Sequence, residues 1–211
     1  MRVSFLVDGF NLYHSLRTAQ KDLNGQSTKW LNLKSLCQSY LYRFGKEAVL
    51  SDIYYFSALA KHRESVDAQV TQRHKLFIQC LKAEGIIVNL SRFKSKKSKC
   101  QYCKATDKRY EEKETDVKLA LQLIEIFIQD TCDVAVLVTG DTDLSPALTT
   151  ANRLFPDKDV YFAFPYKRKN KELNQLAPRS FSISKEQYVN HQFPDYYLLS
   201  NGQTVTKPAQ W

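Results

Sequence analysis

The chain reads as a three-layer α/β sandwich on a mainly parallel sheet, and three observations predict it. Short unbroken apolar runs, Val3-Ser4-Phe5-Leu6-Val7 and Val134-Ala135-Val136-Leu137-Val138, have the character of strands buried on both faces. Between such runs lie segments with apolar residues three and four apart, the period of helices packed along one side. The two kinds of segment alternate, which is the order of parallel strands joined by helical crossovers.

Taken in order, residues 3–7 form the first strand and residues 10–20 a helix, followed by a polar connection over 21–29. Residues 31–44 place Leu33, Leu36, Cys37, Tyr40, Leu41 and Phe44 at helical spacing, so one amphipathic helix is expected there. Residues 48–58 are rich in Val, Ile, Tyr and Phe and read as a strand. A long helix follows over 64–84, closed by Gly85 as a C-terminal cap, and then a strand over 86–93. Residues 94–110 look irregular and strongly basic. Thr115 is the expected N-cap of a helix running from Asp116 to Ile128. The strand at 134–138 leads through Thr139-Gly140-Asp141-Thr142-Asp143 into a short helix containing Leu148 and Leu154. Strands are expected at 159–164 and 180–183, and residues 191–211 are aromatic and polar without a clear period. The division that follows is one domain over 1–190, with a basic insert at 94–112 and a C-terminal tail at 191–211.

At 211 residues the chain supports one well-filled core. No apolar run approaches the roughly 20 residues of a membrane span, and the N-terminus lacks the pattern of a signal peptide. Five irregularly spaced cysteines do not suggest a disulfide framework, so a reducing, cytoplasmic setting is the default. Cys100-Gln101-Tyr102-Cys103 has the spacing of half a zinc knuckle. A structural Zn²⁺ takes four ligands. His62, His74 or a second chain would have to supply the rest, and free thiols on a loop are the expected state.

The net charge of +9 is local. Arg92, Lys94, Lys96, Lys97, Lys99, Lys104, Lys108 and Arg109 face one acid, Asp107, across 92–109, and Lys167, Arg168, Lys169 and Lys171 face none across 167–171. Charge runs are often merely solvated. Two of them beside a cluster of acids instead suit a polyanionic ligand, with Phe164, Pro165 and Tyr166 adding aromatic and apolar surface for single strands.

The acids sit where a parallel sheet keeps its binding crevice, beyond the carboxyl ends of the strands. Asp8 ends the first strand, Asp141 and Asp143 follow the strand at 134–138, and Asp116 opens a helix. Each alone has a bland reading as a turn or first-turn acid. All four together are costly to assemble without a cation, and the pattern reads as a Mg²⁺ or Mn²⁺ site. Asp8 and Asp141 are the favoured direct ligands, while Asp116 and Asp143 bind directly or orient metal-bound water. His14, one turn after Phe10 and Asn11, has an expected packing or capping role.

Val7-Asp8-Gly9-Phe10-Asn11-Leu12, Lys113-Glu114-Thr115-Asp116-Val117-Lys118-Leu119-Ala120 and Thr139-Gly140-Asp141-Thr142-Asp143-Leu144 resemble the three motifs of the NYN domain family, in order and over about residues 1–165. That family belongs with the PIN-like and FLAP-type nucleases. The resemblance implies a Rossmann-like sheet, a divalent-metal centre and RNA as substrate. It makes Asp8, Asp116, Asp141 and Asp143 metal-binding acids and Asn11 their polar partner. The expected activity is that of an endoribonuclease. The basic insert lies outside these motifs and gets no support from the resemblance; from charge, Lys94, Lys96, Lys97, Lys99, Lys113, Lys167, Arg168 and Lys169 are the expected RNA contacts, and homo-oligomerisation is compatible with the pattern. A non-catalytic RNA-binding protein on the same fold is the main rival, although such a protein would be expected to have lost an acid. A haloacid-dehalogenase-type phosphatase requires a second acid where Phe10 stands. A dinucleotide-binding enzyme requires a glycine-rich loop that follows neither central strand.

Overall fold

The computed structural model describes residues 1–99 and 106–211, apart from the side chains of residues 98, 99 and 107. Cys100 and Cys103, the half-knuckle, lie outside the described residues. Seven strands form the main sheet: β1 (Arg2–Asp8), β2 (Val49–Ala58), β3 (Ile87–Lys99), β4 (Thr106–Lys113), β5 (Val134–Val138), β6 (Asp159–Phe164) and β7 (Phe181–Ser182). Their spatial order is β4-β3-β2-β1-β5-β6-β7, and every neighbouring pair is parallel except β3 with β4. The helices are α1 (Gly9–Asp22), α2 (Leu33–Gln38), α3 (Val70–Ala83), α4 (Thr115–Ile128), α5 (Ser145–Leu154), α6 (Lys171–Leu176) and α7 (Lys185–Asn190).

The pleat of β1 sorts the molecule into three layers. Val3, Phe5 and Val7 point to one face, where they meet Leu12 and Leu16 of α1, Leu36 of α2 and Phe77 and Leu81 of α3 in one buried cluster. Leu6 points to the other and joins Leu119, Leu123 and Phe127 of α4, Leu148 of α5 and Leu173 of α6. Six of the seven β1 residues are buried, which a strand can satisfy only at the centre of a covered parallel sheet. From β1 the chain builds outward through β2 and β3, then returns to β5 on the other side. The β1–β5 boundary is therefore the topological switch point, where open α/β sheets leave a crevice.

Four local expectations are corrected. Residues 31–44 do not form one helix: α2 ends at Gln38, and a 3₁₀ turn spans Leu41–Phe44. The Ser39 hydroxyl donates to the Leu36 carbonyl at 2.7 Å, a local bond that competes with helix continuation. The helical spacing survives because both pieces bury Leu33, Leu36, Tyr40 and Phe44 in the same cluster. The helix expected from residue 64 begins only at Val70. Val66 is exposed, and Asp67 turns the chain by accepting the Gln69 N–H at 3.2 Å and pairing with Arg73. Thr115 is not an N-cap. Glu114 occupies that position with φ 79°, its carboxylate is held by Arg92, and Thr115 is the first helical residue.

The fourth correction matters most for function. The basic insert is not irregular: β3 runs on through Lys99 and pairs antiparallel with β4 from Arg92↔Lys113 to Lys99↔Thr106. A two-stranded extension of the sheet therefore projects past the carboxyl edge, beyond β2.

Residues 191–211 are packed on the main body. Strands β8 (Tyr196–Leu198) and β9 (Thr204–Thr206) form a small hairpin. Trp30, fully buried, meets the rings of Phe193 at 5.9 Å and Trp211 at 6.0 Å and donates its indole N–H to the Pro194 carbonyl at 3.0 Å. Tyr197 donates to Glu84 at 2.7 Å. Phe193→Ala should cost about 3–5 kcal/mol in denaturant unfolding, as expected for a buried phenylalanine. A loss below about 1 kcal/mol would mean that this segment rests on the core without completing it.

Candidate metal centre

Asp8 is both the last residue of β1 and the N-cap of α1. Its Oδ1 accepts the backbone N–H of Phe10 at 3.1 Å and of Asn11 at 2.9 Å, two of the donors a helix leaves unsatisfied at its start. Its Oδ2 accepts the hydroxyl of Thr139, at the end of β5, at 2.9 Å. Thr139 in turn accepts the N–H of Asp141 at 3.1 Å. One buried carboxylate thus ties the start of α1 to the turn after β5, and it lies on the face of the sheet that α4 covers. Burial pushes the Asp8 carboxyl up to about 6, and repulsion from Asp116 and Asp141 acts in the same direction.

Asn11 and two glycines hold the turn against this edge. The Gly140 N–H donates to Asn11 Oδ1 at 3.3 Å, and a Cβ on Gly140 would collide with the Arg168 carbonyl oxygen. A Cβ on Gly9 would meet the Phe56 carbonyl at 2.6 Å and the Tyr55 hydroxyl at 2.7 Å. Both positions require glycine for close approach.

Asp141 caps the 3₁₀ turn Thr142–Leu144, its Oδ1 accepting the Asp143 N–H at 3.1 Å. Asp116, in the first turn of α4, is half-buried. Burial and the neighbouring Asp141 and Asp143 raise its carboxyl above the usual range. Carboxylate oxygens of Asp8, Asp116 and Asp141 all lie within 4.8 Å of one another. Asp143 is exposed and stands beside this group without joining it.

These residues fit a hard divalent cation. Three carboxylate oxygens gathered this closely would hold one Mg²⁺ or Mn²⁺ after small side-chain adjustments. The all-oxygen donor set suits Mg²⁺ or Mn²⁺ rather than a thiolate-seeking metal. An ion would also relieve the repulsion that the buried carboxylates impose on one another.

One acid escaped sequence reasoning. Glu112 of β4 accepts the Thr115 hydroxyl at 2.6 Å, and burial, with Asp8 and Asp116 nearby, raises its carboxyl. Nothing in Arg109-Tyr110-Glu111-Glu112-Lys113-Glu114 separates it from its solvated neighbours. The one usable signal was its place three residues before Thr115.

The basic residues are not equivalent. In β3 and β4, Lys94 and Lys96 share a face with Glu111 and Lys113, and Glu111 pairs with Lys96 at 3.2 Å and Lys113 at 2.9 Å. Lys97, opposite Lys108, is exposed and belongs to the other face, with Phe93, Tyr110 and Glu112. The Lys99 side chain lies outside the described residues. Lys167 pairs with Asp22 at 2.7 Å, Arg168 lies against Gly140 through its backbone, and Lys169 is exposed. His14 packs edge-on against Phe10 at 4.5 Å, and burial lowers its imidazole pKa.

A parallel sheet with a three-carboxylate pocket at its switch point defines a PIN-like protein with a candidate metal centre. The NYN domain model matches residues 2–184, and the chain belongs to that family. It is 27% identical, over 247 aligned residues covering 100% of this chain and 75% of the relative, to the 6-hydroxy-3-succinoylpyridine 3-monooxygenase HspA of Pseudomonas putida (strain DSM 28022 / S16). Among solved structures it is similar in fold to VPA0982, a protein of unknown function from Vibrio parahaemolyticus RIMD 2210633. The TM-score is 0.53 at 20% identity, over 87% of this chain and 93% of that one. No helix among the described residues is long and apolar enough to cross a membrane.

The raised Asp8 carboxyl gives a signed expectation. Between the ordinary aspartate value near 4 and about 6, the folded protein binds more protons than the unfolded chain, so stability falls as pH rises through that interval. Without metal, Asp8→Asn should shrink this fall to the part due to the raised Asp116 and Glu112 carboxyls, and stabilise the protein at pH 7 by up to about 3 kcal/mol, at 1.36 kcal/mol per pKa unit. Thermal unfolding at pH 4 to 7 in EDTA measures it. Millimolar Mn²⁺ should raise the wild-type midpoint at pH 7 and leave that of Asp8→Asn nearly unmoved. Equal metal responses would remove Asp8 from the ligand set.

Proposed function

We propose that the protein is a divalent-metal-dependent endoribonuclease, and the observation that carries this reading is the convergence of Asp8, Asp116 and Asp141 at the switch point of an NYN fold. These three residues would hold Mg²⁺ or Mn²⁺. Asp143 stands beside them to orient water, and Asn11 fixes the Gly140 turn that carries Asp141. A bound ion supplies Lewis acidity at the phosphate and at the attacking water. The chain itself positions the carboxylates on three different elements, keeps Asp8 out of bulk water, and offers Lys97, Lys113, Arg168 and Lys169 along the approach as phosphate contacts. Lys94, Lys96, Lys99 and Lys167 belong to the same proposed set, with Lys96, Lys113 and Lys167 already engaged by acids. The described free cysteines, Cys37, Cys80 and Cys132, are buried and suit a reducing cytoplasm.

A non-catalytic RNA-binding role has less support, because it assigns no purpose to three carboxylates kept together at an energetic cost. The name of the Pseudomonas relative raises a second chemistry, oxygenation of a hydroxypyridine. The turns after β1 and β5 lack the glycine-rich fingerprint of dinucleotide binding, which disfavours a nicotinamide-driven version of that chemistry here.

Purified protein should cleave single-stranded RNA with Mg²⁺ or Mn²⁺ and not with EDTA. Asp141→Asn should lower the rate at least about a hundredfold, the scale expected when metal-borne charge stabilisation is lost. RNA binding without cleavage in either metal would support the non-catalytic role. Oxygen consumption with a hydroxypyridine and an electron donor, without cleavage, would support the oxygenase.

A further inference from the structure

A cavity of about 470 Å³, lined by Leu59, Lys61, His62, Leu90, Ser91, Arg92, Phe93 and Tyr110, opens at the base of the β3–β4 extension. Small-molecule sites run from about 300 to 1,000 Å³, so it has room for a nucleoside-sized group. Its aromatic wall is ordered as a series. His62 lies flat on Tyr110, with ring centroids 4.2 Å apart and planes 10° from parallel, and meets Phe93 edge-on at 4.7 Å. Phe93 in turn meets Phe10 at 6.5 Å, and Phe10 is two residues beyond Asp8. A run of rings therefore leads from the carboxylate pocket to the cavity. Phe10 and Tyr110 are 46% and 37% exposed.

Polar atoms at this wall are unmatched. His62 Nδ1 and Ser91 Oγ are buried without a hydrogen-bond partner among the described residues, and both residues line the cavity. Charge is arranged to match. The Lys108 ammonium lies 5.3 Å from the Tyr110 ring centroid, and Lys97 sits opposite Lys108 on the same face of the two strands. Aromatic rings and flanking lysines are the parts a protein uses to hold a base and its phosphates.

We propose that this cavity is a nucleobase subsite that takes one unpaired base of a single strand, with the backbone continuing along Lys97 and Lys108 on one side and toward the carboxylate pocket on the other. This deepens the nuclease reading and rests on it for the identity of the polymer. A duplex keeps its bases stacked and cannot enter, so the cavity selects single strands.

The test measures binding of fluorescent RNA oligonucleotides in EDTA, so that catalysis plays no part. Tyr110→Ala and His62→Ala should each weaken single-strand binding by roughly 5- to 150-fold, the range of about 1–3 kcal/mol for one stacked base. Tyr110→Phe should bind like wild type, and duplex affinity should move little in any of them. Circular dichroism of each variant checks the fold, and Lys97→Ala with Lys108→Ala gives an independent arm that spares the rings. That pair should lower the log–log salt slope by about 1.4, at roughly 0.7 per single-strand phosphate contact, whereas Lys94→Ala with Lys96→Ala should change it less. A single abasic position, moved along the strand, should reproduce the Tyr110→Ala loss at one register and add nothing to it in that variant. Full single-strand affinity in folded Tyr110→Ala and His62→Ala would overturn the subsite while leaving the nuclease reading intact. Base-dependent binding by a protein that never cleaves would overturn the nuclease reading and keep the subsite. No RNA binding by the wild type would overturn both.

Discussion

Everything at the carboxyl edge of this sheet depends on one buried carboxylate. Asp8 accepts the first N–H groups of α1 and the hydroxyl of Thr139, so it joins the start of one helix to the end of a strand 131 positions away. Its hydrogen bonds favour the charged form, while burial and two neighbouring aspartates oppose it. The opposition is larger, and it is concentrated where the fold places its crevice. The molecule thus holds a strained charge balance at the switch point that a divalent cation would relieve.

The surroundings make that balance tolerable by removing freedom around it. Gly9 and Gly140 let backbones approach where any Cβ would collide, and Asn11 braces the turn between them. The two faces of β1 are fully committed to separate clusters, so the strand cannot slide by one residue without exposing one set and burying Asp8 on the wrong side. Register, in this sense, is what aims the carboxylate.

The sequence made the central sheet and three converging acids legible because both are written in strong local patterns. Unbroken apolar strands such as residues 134–138 leave little choice, and an acid at the end of such a strand must emerge at one edge. What stayed hidden lacked a period. Residues 94–99 and 106–112 alternate lysine, serine and acid with few apolar residues, so nothing marks a strand solvated on both faces. There, cross-strand pairs such as Lys96 with Glu111 and the continuation of β3 supply the order. Glu112 was hidden for the same reason. The break at Ser39 was masked because two short segments bury the same apolar stripe that one helix would. His62 could not be placed from sequence, since its role depends on Tyr110, 48 positions later.

Strand order also has a consequence in time. β1 is made first, yet its partner β5 lies more than a hundred residues downstream, and the outer strands on the other side are made in between. During synthesis β1 has one neighbour and one open edge of unpaired N–H and C=O groups between apolar faces, the condition under which chains stick to one another. Asp8 has no Thr139, and Asp116 no Asp141, until β5 docks. The three carboxylates therefore come together only once β5 has joined the sheet.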